Sequence, residues 1–321
     1  MRVVQVARFG GPDVLETVEV PDPVPGPGEV VINVVAVDTI FVETQIRTGF
    51  GRELWGKVPP YVPGGAATGI VRATGPGVDE SWQGRAVGVH SGTGSYAEQL
   101  LVPAEGLTPL PEGLSPHVAA ALLHDGPTAM GLFVNAQVQR GDSVLILPAA
   151  GGASSLLVQL AKAAGAYVIG AARGGQKLDV VRALGADTVI DYSQPNWTDG
   201  IEADVIFEGV GGGLGATALQ AAADNARVAA FGAASGGFAP YDDEDLKRRG
   251  IRRTGIEQVQ FAPDRAKELL HLAFTEAAAG RIRPLIAQHL PLEEAAAAHA
   301  SIESRSVVGK TLLTTAPGDA T

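Results

Sequence analysis

A strand, a glycine-rich turn and a helix follow one another directly in the middle of the chain, and they constrain the fold most strongly. The apolar run Ser143–Leu147 predicts a buried strand, the small residues 148–155 (PAAGGASS) predict a tight turn, and residues 156–165 predict a helix. In dinucleotide-binding folds this order brings backbone N–H groups at a helix start to a pyrophosphate, which larger side chains would block. The sequence therefore predicts a nucleotide-binding α/β domain.

The glycine spacing typical of such turns is only partly present. Of the three consensus positions, Ala149, Gly151 and Ser154, only one carries glycine, so the prediction rests on the strand and helix around the turn. A glycine-rich connection in an α/β domain that binds nothing is the alternative. The predicted phosphate contacts are Ala150, Gly151, Gly152, Ala153 and Ser154.

Three stretches of the chain differ in the rhythm of their apolar residues. Residues 1–118 contain short strand-like runs between proline and glycine clusters, which predicts a small β-rich domain. Residues 119–280 alternate apolar strands with alanine-rich helices, which predicts a doubly wound parallel sheet. Residues 281–321 again contain strand-like runs around a helix, and we expect them to rejoin the first domain, with a frayed end at 316–321.

Charge and cysteine content exclude several classes of function. The chain has 24 basic and 35 acidic residues, and its net charge of −11 repels nucleic acids and anionic membrane surfaces. It has no cysteine, so disulfides, thiolate catalysis and cysteine-ligated zinc are excluded. The histidines lack the spacing of a metal site. Neither a signal peptide nor an apolar run of about 18 residues is present, so we expect a cytoplasmic protein.

The end of the next predicted strand, Tyr167–Ala172, indicates which dinucleotide is bound. It lies about 20 residues after the turn, where NAD-binding chains carry an acid for the ribose 2′-hydroxyl. Here Arg173 and Lys177 follow, without an acid nearby in the sequence. A guanidinium pairs with a 2′-phosphate, whereas a carboxylate repels it, so NADPH is predicted. Solvated basic side chains at a helix start are the alternative.

Five segments share their order and spacing with one enzyme family. They are 58–71 (VPPYVPGGAATGIV), 94–115 (GSYAEQLLVPAEGLTPLPEGLS), 148–166 (PAAGGASSLLVQLAKAAGA), 183–192 (ALGADTVIDY) and 307–314 (VVGKTLLT). Together they resemble the quinone oxidoreductase branch of the medium-chain dehydrogenase/reductase superfamily. The resemblance implies an α/β protein with a GroES-like catalytic domain, an inserted Rossmann domain and a cleft between them.

The resemblance also bears on metal dependence. Zinc-dependent members of the superfamily carry Gly-His-Glu where this chain has Gly64, Gly65 and Ala66, and their other catalytic ligands are cysteines. A zinc-independent enzyme is therefore expected. Without a Lewis acid to polarise an alcohol, the supported chemistry is hydride transfer from NADPH to an electron-poor acceptor, either a quinone or an α,β-unsaturated carbonyl.

By position, the resemblance assigns further cofactor contacts. Arg173 and Lys177 bind the adenosine ribose phosphate, and Tyr192 lies at the same end. Thr128 touches the nicotinamide half, although an ordinary helix cap is the alternative. The contacts expected at the carboxyl edge of the sheet are Val210, Phe231, Gly232 and Ala233.

The substrate side departs from the family in residues 37–49. Bacterial relatives usually carry asparagine, aspartate and tyrosine at the positions of Ile40, Glu43 and Gln45, and the loss of the asparagine favours a bulky apolar acceptor. The pocket candidates are Ile40, Gln45, Tyr61 and Phe238, with core packing as the alternative for Tyr61.

No single catalytic residue is expected, because water can supply the proton. His124 and Asp125 have the composition of a base with its orienting acid. Adjacent side chains seldom point the same way, however, so a structural role is expected for His124.

Three functions fit the sequence. An NADPH-dependent quinone reductase is preferred, an enoyl or enone reductase of secondary metabolism is the second, and a non-catalytic NADPH-binding sensor or structural protein is the third. A homodimer that pairs through the predicted edge strand near 252–259 is also expected.

Overall fold

The computed structural model describes residues 1–305 and 307–315, so the predicted frayed end at 316–321 lies outside the described residues. The chain forms two compact units, and each is described by itself. Unit 1 consists of residues 1–124 and the described residues from Pro284 onward, and unit 2 is Asp125–Arg283. The domain boundaries expected from the sequence, after residues 118 and 280, stay predictions.

Unit 1 begins as a β-rich body. Its first strands are β1 (Arg2–Val6), β2 (Leu15–Glu19), β3 (Glu29–Thr39), β4 (Ala66–Thr74), β5 (Ala86–His90), β6 (Gln99–Pro103) and β7 (Thr108–Pro109). Its first helices are α1 (Phe41–Thr48), α2 (Arg52–Trp55) and α3 (Pro116–Leu122), with 3-10 helices at Pro12–Val14, Glu80–Trp82 and Ala104–Gly106.

Unit 2 alternates helices and strands. Its strands are β8 (Ser143–Leu147), β9 (Tyr167–Ala172), β10 (Thr188–Asp191), β11 (Ala203–Glu208), β12 (Ala222–Ala230) and β13 (Arg252–Thr254). Its helices are α4 (Asp125–Ala136), α5 (Gly152–Ala163), α6 (Gly175–Ala183), α7 (Gly212–Ala218), α8 (Asp243–Arg248) and α9 (Pro263–Ala278), with 3-10 helices at Leu219–Ala221 and Ile256–Val259. The chain then returns to unit 1 with β14 (Ile286–Pro291), a 3-10 helix at Leu292–Glu294, α10 (Ala295–Ser304) and β15 (Lys310–Thr314).

The larger sheet of unit 1 is centred on β3. Its order is β14-β15-β3-β4-β5-β7, β6 pairs with β3, and β1 and β2 form a separate hairpin. The β-branched side chains of Val30, Ile32 and Val34 alternate along β3 into the buried core. The last strand, β15, pairs antiparallel with β3 and sets Leu312 opposite Asp38. Strands from before and after unit 2 therefore lie in one sheet.

Unit 2 contains a parallel sheet with the strand order β10-β9-β8-β11-β12-β13. The order changes direction between β8 and β11, which is the arrangement of the doubly wound nucleotide-binding fold. The predicted α/β fold class is confirmed. In such sheets ligands bind at the carboxyl ends of the two strands beside the reversal, here Leu147 and Glu208.

Two element boundaries differ from the expectation. The helix after β8 begins at Gly152 rather than at residue 156, because Gly151 is extended (φ −75°, ψ 162°) and serves as its N-cap. Half of the predicted turn is therefore the first turn of α5. The edge strand β13 ends at Thr254, and a 3-10 helix follows at Ile256–Val259.

Across residues 1–305 and 307–315, no helix combines the length and apolar character needed to cross a membrane.

Candidate functional site

The turn after β8 exposes the start of α5. Gly151 N–H donates to the carbonyl of Pro148 at 2.8 Å, so it shapes the turn. The first helical hydrogen bond runs from Ser155 N–H to Gly151 O at 2.8 Å. The N–H groups of Gly152, Ala153 and Ser154 precede it, so they are the helix-start donors that an anion can use. Of the predicted phosphate contacts, these three have the required backbone position.

Close packing leaves little room for larger side chains on this turn. A Cβ on Gly151 would lie 3.1 Å from the carbonyl oxygen of Pro148, and one on Gly152 would lie 1.9 Å from a carboxylate oxygen of Asp125. Asp125 is the first residue of α4, and its negative charge is favoured beside the positive end of α5. The carboxylate of Asp125 therefore lies at the start of α5.

The end of β9 carries the predicted 2′-phosphate contacts. The guanidinium carbon of exposed Arg173 lies 5.9 Å from the centre of the Tyr192 ring. Lys177 lies in the first turn of α6. A Cβ on Gly174 or Gly175 would meet no atom within 4 Å, so there is open space beside the helix start.

An acid lies near Arg173 in space, although none was noted beside it in the sequence. Asp191 ends the neighbouring strand β10, where it is in register with Ala172, and its carboxylate accepts from Gly174 N–H at 3.1 Å. Hydrogen bonds from Ser193 lower the pKa of Asp191, and the positive charge of Arg173 adds to this effect. Asp191 was missed because it is distant from Arg173 in the sequence. The parallel pairing of β10 with β9 brings it to the end of β9.

A buried carboxyl group that the sequence analysis missed ends β11. Glu208 Oε1 accepts from the N–H groups of Val210 and Gly211, both at 2.6 Å, and burial raises the pKa of Glu208. A Cβ on Gly232, just after β12, would lie 2.1 Å from the carbonyl oxygen of Gly209. The loops after β11 and β12 therefore touch. A charged residue at the end of the apolar run VIFE was the available signal.

The other predicted contacts of unit 2 lie near the same strand ends. Phe231 and Ala233 flank Gly232 directly after β12, and Phe238 is exposed on the following loop. Thr128 lies within the first turn of α4, which begins at Asp125, so the alternative that Thr128 caps the helix is wrong.

In unit 1, His124 pairs with a completely buried carboxylate on β3. His124 Nδ1 lies 2.7 Å from Asp38 Oδ2, and Lys310 Nζ lies 2.5 Å from Asp38 Oδ1. Burial by itself would raise the pKa of Asp38, but the charge of Lys310 and the hydrogen bond from His124 outweigh it and lower that pKa. Because the carboxylate only accepts hydrogen bonds, Nδ1 of His124 carries a proton.

The backbone at Gly65 leaves a small space between two ionisable side chains. A Cβ on Gly65 would lie 3.6 Å from both Glu43 Oε1 and His124 Nε2. Burial raises the pKa of Glu43, while hydrogen bonds from the N–H groups of Gly64 and Gly65 act in the opposite direction. His90 stands edge-on to His124, with ring centres 5.2 Å apart. In the described residues, no three histidine, aspartate or glutamate side chains are arranged to hold a metal ion.

Tyr61 is the pocket candidate with the clearest polar function. Its hydroxyl is buried and has no hydrogen-bond partner among the described residues. Burial and the nearby charge of Glu43 raise the pKa of Tyr61 to about 12. Ile40 is the extended residue before α1, and the Gln45 amide makes a long contact of 3.5 Å with Thr44 Oγ1. The hydroxyl of Tyr61 therefore remains a protonated donor.

Two family models match separate parts of the chain. One, "Alcohol dehydrogenase GroES-like domain", matches residues 26–112, and the other, "Zinc-binding dehydrogenase", matches residues 184–313. The match to the first lies within unit 1, and the match to the second begins in unit 2.

Characterised proteins are similar along nearly the whole length. A 2-haloacrylate reductase of a Burkholderia species is 32% identical over 96% of this chain and 97% of that protein. A quinone oxidoreductase of Pseudomonas aeruginosa is 30% identical over 97% and 98%. Among solved structures, the quinone oxidoreductase of Escherichia coli complexed with NADPH has a TM-score of 0.86 at 27% identity, over 98% of this chain and all of that one.

Proposed function

This chain belongs to the quinone oxidoreductase branch of the medium-chain dehydrogenase/reductase superfamily, and from that premise we propose that it reduces quinones or other conjugated carbonyls with NADPH, without zinc. It is an NAD(P)-dependent oxidoreductase. The observation that carries the proposal is the crowded glycine turn at the start of α5, which lies where the order of the parallel sheet reverses.

The residues of unit 2 fit a dinucleotide. The N–H groups of Gly152, Ala153 and Ser154 would hold the pyrophosphate, and Arg173 would bind the 2′-phosphate in the open space beside Gly174. When bound, NADPH supplies a hydride to the acceptor. The solved relative from E. coli, which is complexed with NADPH, supports this choice of cofactor.

The residues of unit 1 do not fit the zinc that the name of one family model implies. The chain has no cysteine, and Gly65 carries no side chain where zinc-dependent members have histidine. The imidazole of His124 is bound to Asp38 through Nδ1, and three donor side chains do not converge beside it in the described residues. We therefore propose that an acceptor with its own conjugated electron sink replaces the Lewis acid.

The side chains on unit 1 would orient such an acceptor. The buried hydroxyl of Tyr61 would donate a hydrogen bond to a substrate oxygen that gains negative charge during reduction. Gln45 could supply a second contact, and Ile40 adds apolar surface. The exposed ring of Phe238, on unit 2, stays a candidate for contact with the ring of an aromatic acceptor.

The proposal is tested by measuring NADPH absorbance with the purified protein and a panel of quinones and enones. We expect oxidation with at least one acceptor, at a rate that a chelator leaves unchanged. Loss of activity with the chelator, and recovery with zinc, would contradict metal independence. A protein that binds NADPH but oxidises it with no acceptor would instead be a sensor or a structural protein.

A second candidate, reduction of a carbon–carbon double bond, is favoured by a specific observation. Such a reduction must place a proton on carbon, which is slow from water and benefits from a positioned acid. The His124–Asp38 pair has that form. The similarity to a 2-haloacrylate reductase, whose name describes a conjugated acid as substrate, points in the same direction.

Arg173→Ala is expected to weaken NADPH binding roughly 10- to 100-fold, as one charge-assisted hydrogen bond of about 1.5–3 kcal/mol is lost. NADH has no 2′-phosphate, so its affinity should change little. Binding of both nucleotides, followed by fluorescence titration, checks the prediction. An equal loss for NADPH and NADH would contradict the 2′-phosphate contact.

Asp191→Asn supplies the matched comparison. The variant keeps the size of the side chain and an acceptor for Gly174 N–H but removes the negative charge near Arg173. We expect NADPH to bind more tightly and NADH to be unaffected.

We further propose a cytoplasmic homodimer. The edge strand β13 is short and exposed, and an unpaired strand edge can bind a second copy. Sedimentation of the purified chain would test this assembly.

A further inference from the structure

We propose that His124 is the catalytic proton donor of this chain, held in place by Asp38 and Lys310 as positioning residues. The site then takes acceptors whose reduction ends in a new carbon–hydrogen bond, such as α,β-unsaturated acids and ketones. This inference rests on the proposed function and narrows its substrate class. It replaces the expectations that water supplies the proton and that His124 has only a structural role.

The geometry fixes the orientation of the imidazole. One oxygen of Asp38 lies 2.7 Å from His124 Nδ1 and 3.3 Å from the backbone nitrogen of the same residue. These contacts anchor both the ring and the backbone to β3. Nδ1 is bound to the carboxylate, so Nε2 is the nitrogen that can face a substrate. It lies 3.6 Å from the position that a Cβ on Gly65 would occupy. A proton on Nε2 therefore lies beside a position that lacks a side chain.

Two charged side chains and a second imidazole surround the ring of His124. Lys310, on β15, neutralises Asp38 at 2.5 Å, so the buried carboxylate is not an isolated charge. Glu43, on α1, places Oε1 3.6 Å from the same Cβ position at Gly65. His90, on β5, faces the ring edge-on, and burial lowers its pKa to about 4, so it is neutral near pH 7.

The other two ionisable groups near the space are less suited to donate. The carboxyl group of Glu43 accepts hydrogen bonds from the backbone N–H groups of Gly64 and Gly65, which oppose the rise in its pKa that burial causes, so it is already engaged as an acceptor. The pKa of Tyr61, at about 12, makes its hydroxyl a weak acid that is better suited to binding a substrate oxygen. His124 combines a fixed orientation with a side chain that is 29% exposed, so solvent can return the proton.

Two carbon–hydrogen bonds form in the proposed reduction. Hydride from NADPH forms a carbon–hydrogen bond at the β-carbon of the acceptor, which oxidises the cofactor to NADP⁺ and moves an electron pair onto the α-carbon and the carbonyl oxygen. The Nε2–H bond of the His124 imidazolium then breaks as a carbon–hydrogen bond forms at the α-carbon. The imidazole becomes neutral and takes a proton from water. A quinone needs protons only on oxygen, which water delivers rapidly.

The test compares an enone with a quinone in the His124→Gln variant. Enone reduction should fall roughly 10²- to 10⁴-fold, the range for loss of a general acid, while quinone reduction changes less than about tenfold. In D₂O the wild type should place deuterium on one face of the α-carbon, and the variant on both. Imidazole added to His124→Gly should restore part of the enone activity. His117→Gln, another histidine of unit 1, is the matched control and should leave both rates unchanged.

The positioning residues need a readout that simple destabilisation does not change. Asp38→Asn combined with Lys310→Met removes the carboxylate without leaving an unpaired buried ammonium group. We expect kcat for the enone to fall and its pH profile to shift, with the KM for NADPH unchanged. Unchanged kcat and pH profile would show that Asp38 does not act through His124.

The outcomes separate this inference from the proposed function. Wild-type enone rates in His124→Gln, or a wild type that reduces quinones but no enone, would overturn the inference and leave the reductase function in place. A wild type that oxidises NADPH with no acceptor would overturn both.

Discussion

Replacing Gly151 by valine should abolish measurable NADPH binding and leave the fold of unit 2 largely intact. The backbone of Gly151 is extended (φ −75°), so valine fits the local conformation, but its Cβ would lie 3.1 Å from Pro148 O and 3.8 Å from Ser154 Oγ. The branched side chain would then cover the start of α5. Losing two charge-assisted hydrogen bonds there costs about 3–6 kcal/mol, or roughly 10²- to 10⁴-fold in affinity.

Gly151→Ala is the control for this experiment. One methyl group requires only a small shift of the turn, so its loss of affinity should be much smaller. Calorimetric titration with NADPH measures both variants, and circular dichroism checks that helices and strands persist. If Gly151→Val binds NADPH as the wild type does, the pyrophosphate lies elsewhere.

Arg47→Met should destabilise unit 1 by about 1–3 kcal/mol, the cost of leaving a buried hydrogen-bond acceptor without its donor. Arg47 is 1% exposed, donates from Nε to Gly10 O at 3.1 Å and forms an ion pair with Glu303. It also contacts His299 Nδ1 at 3.2 Å. Burial and the charge of Arg47 lower the pKa of His299 to about 3, so the imidazole is neutral and accepts this bond. Methionine would leave these buried acceptors without a donor.

Urea denaturation, followed by tryptophan fluorescence, measures the change in the free energy of unfolding. Trp55 and Trp82 report on unit 1. Glu303→Gln is the comparison, and it should cost less because the Glu303 side chain is 30% exposed and its amide still accepts a hydrogen bond. A loss below about 1 kcal/mol for Arg47→Met would show that the contacts of Arg47 contribute little net stability.

The parallel sheet of unit 2 could be predicted because its signals are local. Each apolar run and each alanine-rich helix is complete within a short window, and their alternation implies parallel strands with helical crossovers. The sequence placed the start of α5 at residue 156 instead of Gly152, however, because the small residues at 152–155 suit a loop and a first helical turn equally well. The glycine turn could be predicted, but only the backbone hydrogen bonds of the structure show which N–H groups can bind a phosphate.

The His124–Asp38 pair in unit 1 could not be predicted, because its two residues are far apart in the sequence. Asp38 and His124 are separated by 86 residues, and only the fold of unit 1 brings them together. The neighbouring Asp125, whose carboxylate lies against Gly152, gave no indication of this pair. Asp191 was missed in the same way beside Arg173. In each case the relevant neighbour lies on another strand or helix, and the sequence carries no periodic signal for it.

The pairing of β15 with β3 has a consequence for biosynthesis. Lys310, which neutralises Asp38, follows β3 in the chain by all of unit 2, so it leaves the ribosome after both. Until β15 adds to the sheet, Asp38 lacks the ammonium group of Lys310, and the carboxylate that orients the His124 ring is not neutralised. A nascent or C-terminally truncated chain should therefore bind NADPH through unit 2 before it can protonate a substrate.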